Sequence, residues 1–148
     1  GYILLRKILK TMRVTLKQIH EAVGKTESLR IAEFLVNHYY RKLPPGIKIV
    51  ETNFDDKSLK GDYDVDRNKI RIKTNYNKKS EFIISVLHEI RHAMDAKRKG
   101  KKEYKLDYEW EMNYQIANGG HRYHDNKYEI EAENWAQKEY RKRWRGDF

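Results

Sequence analysis

Both prolines of this 148-residue chain stand side by side, at Pro44-Pro45, and Gly46 follows them. Proline disrupts helix interiors and central strands, so this tripeptide is the strongest single break in the chain. The hydrophobic period differs on its two sides. Before it, Leu29, Ile31, Ala32, Leu35, Val36, Tyr39 and Tyr40 recur at helical spacing over 26–43. An earlier helical pattern over 2–22 carries Ile8, Met12, Leu16, Ile19 and Val23, with Thr15 and Gln18 set as a capping box and Gly24 as a break. After the prolines the period falls to two. Ile47 to Glu51, Gly61 to Val65 and Ile70 to Thr74 read as strands, the last two joined by a hairpin across Asp66-Arg67-Asn68. Helical spacing returns from Ser80 to about Arg98, again over 107–117, and from Asn126 to Arg145 after a Gly119-Gly120 loop. Helices, then a small sheet, then helices predict an α+β domain. Its sheet is expected to be three-stranded or larger and mostly antiparallel.

Composition narrows the functional classes. Length fits one domain over 1–148, with 1–25 as an appended N-terminal helix, and such a chain buries roughly two-thirds of its unfolded surface. Zero cysteines exclude a disulfide scaffold, thiolate metal ligands and a cysteine nucleophile. No window is apolar enough to span a membrane, and no signal segment is recognisable, so a cytoplasmic location is expected. The net charge of +10 favours acidic partners in general without choosing one.

The chemistry lies in His88-Glu89-Ile90-Arg91-His92, an H-E-x-x-H pattern. Positions i and i+4 share one helical face, so both imidazoles can reach one metal ion. Glu89, turned about 100° from His88, flanks that ion and can take a proton from its water. On the same helix Phe82, Ile83, Val86, Leu87, Ile90, Ala93 and Met94 form a separate apolar arc that faces a core. Ser85 and Asp95 share the histidine side. The competing reading is a charged helix whose two histidines coincide.

A zinc enzyme needs a third protein ligand. The extended H-E-x-x-H-x-x-G-x-x-H pattern fails, because Asp95 and Arg98 occupy its glycine and third histidine positions. The remaining sources are His121 or His124 in the loop, and the last helix. There Ala132, Ala136, Glu129, Tyr140, Glu133 and Trp144 share a face, whereas Glu131 and Lys138 point away. Small alanines admit a neighbouring helix, and carboxylates among them need a partner. Glu129 is therefore the strongest candidate for third ligand. Glu133, one turn on, is placed to hold a ligand histidine through its other ring nitrogen.

At these residues the chain resembles zinc metallopeptidases of the gluzincin group, and most closely the compact ImmA/IrrE-like family. There, H-E-x-x-H is followed by a helix reading E-x-E-A-x-x-F-A; here it reads Glu129-Ile130-Glu131-Ala132-Glu133-Asn134-Trp135-Ala136. The resemblance implies one Zn2+ per chain on His88, His92 and Glu129, with Glu89 as general base. It implies a peptide or protein substrate, such as a transcriptional repressor. It also implies that Ile70, Ile72 and Thr74 lie on an edge strand that pairs with that substrate. His121, Tyr123 and His124 are the expected transition-state stabilisers.

Two basic runs, Lys97 to Lys102 and Arg141 to Arg145, suit phosphate contacts with Tyr140 and Trp144 for stacking, but also suit helix C-termini, where cations favour the dipole. His20 and His38 read as ordinary helix positions. The alternative to an enzyme is a binding module: a silent metal-bearing fold or a basic nucleic-acid-associated domain.

Overall fold

The computed structural model describes residues 27–148. The helix expected over 2–22, its capping box, the break at Gly24 and His20 lie outside the described residues. Four helices and three strands follow one another: α1 (Glu27–His38), β1 (Lys48–Glu51), β2 (Gly61–Asp64), β3 (Lys69–Ile72), α2 (Lys79–Lys99), α3 (Lys101–Ala117) and α4 (Lys127–Glu139). The architecture is α+β, with α2 packed against α4, the sheet and α1.

The sheet order is β1-β3-β2. β2 and β3 form the antiparallel hairpin, whereas β1 runs parallel to β3 in the register Ile49 to Ile70 and Glu51 to Ile72. The sheet is thus mixed, which corrects the expectation of a mostly antiparallel one. The hairpin itself supplies the crossover that a parallel pair requires. Asn68 fixes this arrangement. It turns the chain at φ 52°, a conformation asparagine tolerates, and its side-chain amide donates to the Pro45 carbonyl at 3.0 Å. Tyr63 donates to its Oδ1 at 2.8 Å.

A second correction concerns β3. Ile70 and Ile72 belong to the central strand, and Thr74 lies just beyond it. Both isoleucines are fully buried. The charged strand β1 and the acidic strand β2 take the edges, where charges discourage stray pairing. Against β3 pack Phe82, Ile83, Val86, Leu87 and Ile90 of α2, with Ile31, Leu35 and Val36 of α1 in the same core.

Helix ends depart from the sequence reading in three places, the first being α1, which ends at His38 rather than at 43 and is followed by a 3-10 turn over Tyr40–Lys42. Gly100, at φ 91°, stops α2, and α3 begins at once, six residues before the expected start. Lys97, Arg98 and Lys99 therefore end one helix while Lys101 and Lys102 open the next. The dipole accounts only for the first three. The last helix ends at Glu139, and a π turn over Tyr140–Trp144 carries Trp144 into the core. Its indole N–H donates to the Tyr39 hydroxyl at 3.0 Å, and its ring meets Phe34 and His38 edge-on. No described helix is long and apolar enough to cross a membrane.

Candidate metal centre

The regular turn of α2 sets His88 and His92 on one face, with ring centroids 4.9 Å apart. Opposite them stands the first turn of α4. Asn126 caps that helix by accepting the Tyr128 N–H at 2.9 Å, which places Glu129 at its positive end. Ala132 and Ala136 are fully buried and let the two helices approach. The outcome is convergence. His88 Nε2 lies 2.7 Å and His92 Nε2 2.9 Å from the same oxygen, Glu129 Oε1.

The atoms turned away from this point are also held. His88 Nδ1 faces Glu133 Oε2 at 3.4 Å, and His92 Nδ1 faces the Tyr104 hydroxyl at 3.1 Å. Tyr108 donates to Glu129 Oε2 at 2.5 Å. Each imidazole is thus fixed through Nδ1 and presents Nε2 inward. His88, His92 and Glu129 together form a group able to hold a metal ion. Two neutral-nitrogen donors and one carboxylate are a donor set that suits zinc.

Glu89 is buried beside this group, and its Oε2 has no hydrogen-bond partner among the described residues. Burial, only partly offset by the two histidines, pushes its carboxyl up to about 7. It faces a cavity of about 350 Å³ shaped by β2, α2 and α3 and lined by Gly61, Tyr63, His92, Tyr104, Tyr108, Met112, Tyr123 and Glu129. Gly61 makes the close approach of β2 to Glu89 feasible. A Cβ there would stand 2.9 Å from Ile72 Cδ1 and 3.3 Å from Glu89 Cγ.

Charge explains the protons. Burial would lower His88, but its hydrogen bonds to Glu129 and Glu133 outweigh it and carry the imidazole up to about 10. Burial would raise Glu129, yet its bonds to His88, His92 and Tyr108 hold it far below the usual carboxylate range.

The loop residues divide. Tyr123, 37% exposed as a whole, still lines the cavity, where loss of water around its hydroxyl and the nearby Glu129 raise that hydroxyl above its ordinary value, so it keeps its proton at neutral pH. His121 instead accepts the backbone N–H groups of Tyr123 and His124, both at 3.0 Å, and its ring lies 4.4 Å from that of His124. Both histidines are exposed and build the loop outside the cavity lining. Arg91 points to Asp95, which also binds Arg98, and so stands apart from the cluster.

Sequence reasoning missed Tyr104 and Tyr108. Their i, i+4 spacing is the available signal, hidden because α3 was expected to begin at 107. Compared with known proteins, the chain matches no family model, and no curated protein or solved structure resembles it significantly.

Proposed function

We propose that this protein is a zinc-dependent endopeptidase of the gluzincin type, acting on a peptide or protein chain. The observation that carries this reading is the meeting of His88 Nε2, His92 Nε2 and Glu129 Oε1 at one point, with the buried Glu89 carboxylate alongside in an open cavity. His88, His92 and Glu129 would hold a zinc ion, which would supply Lewis acidity for the scissile carbonyl and for a bound water.

The chain's own groups do the rest. Glu89 takes a proton from the attacking water and returns it to the leaving amine, a task suited to a carboxyl near neutrality. Tyr123, protonated and in the cavity lining, donates to the developing oxyanion. Glu133 orients His88 through Nδ1. Among the described residues β2 is the sheet edge beside the cavity, and an extended substrate pairs there along Gly61–Asp64. A repressor-like substrate rests on the resemblance of the two motif helices alone.

The test is Glu89→Gln assayed on an unstructured protein substrate. The variant should keep its zinc while proteolysis falls by about 10²–10⁴-fold or more. Equal proteolysis by variant and wild type would overturn the assignment.

A further inference from the structure

We propose that Tyr104 is a positioning residue for the metal centre: its hydroxyl fixes the ring orientation and tautomer of His92. This rests on the metal reading above and concerns how the second imidazole is prepared. His92 and Tyr104 are both buried, and Nδ1 and Oη lie 3.1 Å apart. For Nε2 to offer its lone pair, Nδ1 must carry the proton, and Tyr104 Oη is the acceptor that receives it.

The two imidazoles are held by different chemistry. His88 Nδ1 meets a carboxylate whose side chain is 47% exposed, whereas His92 Nδ1 meets a neutral phenol in the interior. Water can replace Glu133 at the surface. Nothing so simple replaces Tyr104, because a buried N–H without an acceptor bears its full desolvation cost. The phenol is itself braced, with its ring edge-on to Tyr128 at 5.3 Å and tilted against Tyr108 at 6.1 Å. Ala96 completes the small cluster in which it sits. The first turn of α3 thereby sets the angle at which His92 faces Glu129.

Zinc affinity of the full chain, measured by competition with a chromogenic chelator, tests this for Tyr104→Phe and Tyr128→Phe. Tyr104→Phe keeps the ring and its packing, and zinc binding should weaken about 10–100-fold. Tyr128→Phe removes a phenol from the same cluster without touching His92 and should leave zinc affinity unchanged. Nitrogen-15 NMR of zinc-loaded wild type should show the His92 proton on Nδ1. That proton should exchange slowly with solvent because the buried Tyr104 oxygen holds it, which tests the contact even where a variant fails to fold. Equal zinc affinity for wild type and Tyr104→Phe, or a freely exchanging His92 Nδ1 proton, overturns the role of Tyr104 while leaving the metal reading intact. A His92 proton on Nε2 overturns both, because a protonated Nε2 has no lone pair for a metal. A wild-type chain that takes up no zinc overturns both.

Discussion

Two clusters of buried side chains divide the work of this fold. The larger one, between the sheet, α1 and α2, is aliphatic and aromatic, with Leu35, Ile70, Ile72, Phe82, Leu87, Ile90 and Trp144 almost without solvent contact. The smaller one, Tyr104 and Tyr128 with Ala96, keeps hydroxyls inside and spends them on His92, Asp107 and Lys99. The first cluster gives stability through area removed from water, about 25 cal/mol per Å². The second gives direction, since each hydroxyl sets the angle of a neighbour. Helix α2 belongs to both, with its apolar arc in one and its histidines beside the other.

If that division holds, damage to the first cluster should unfold the chain, whereas loss of a group bonded to a ligand histidine should loosen the metal. Trp144→Ala should have the largest effect, a loss of about 3–5 kcal/mol in urea unfolding. It empties the space between Phe34 and His38 and removes the partner of Tyr39. A wild-type midpoint would break the distinction at once. Ile90→Ala, on the face of α2 opposite the metal, should cost about 2–5 kcal/mol by the same measurement. In the folded fraction its zinc affinity should equal that of wild type.

Glu133→Gln should act the other way. The side chain is half-exposed, so stability should change by under about 1 kcal/mol. Zinc affinity should fall about 10-fold, at the low end for an outer partner of a ligand histidine. A large stability loss with unchanged affinity would reverse the comparison.

How much of this was legible follows from what carries each signal. Helices α2 and α4 announce themselves because their apolar period and their chemistry coincide: His88 and His92 lie off the arc of Val86, Leu87 and Ile90, and Glu129 shares a face with Ala132 and Ala136. The start of α3 is obscure because Lys101-Lys102-Glu103-Tyr104-Lys105 carries its inward side in a tyrosine and follows a glycine. The place of β3 in the sheet is a tertiary matter. Ile70-Arg71-Ile72 alternates as it would on any half-buried strand, and alternation is silent about pairing on one side or two. The π turn at Tyr140 also escaped, since regular helical spacing already sets Trp144 on the face of Ala132 and Ala136 and gives no sign of a change in pitch.

The smallest effect should come from pH. Asp107 accepts from Lys99 and Tyr128, and these bonds hold its carboxyl down to about 2. A depressed carboxyl contributes stability that is fully present above its ordinary value near 4 and fades as pH falls through about 2. The side chain is 30% exposed, so screening limits the contribution to about 1 kcal/mol or less. Asp107→Asn should remove that part of the acid dependence and leave zinc affinity unchanged. A change in zinc affinity would extend the directing role of the tyrosine cluster to its outer rim.

The most direct measurement is the zinc content of the purified full chain, by elemental analysis, beside His88→Ala and Glu129→Ala. Three side chains from two helices meeting at one point predict about one zinc per wild-type chain and close to none in either variant. A wild-type chain that neither carries zinc nor takes it up, or a Glu129→Ala variant that retains the full amount, would contradict the account.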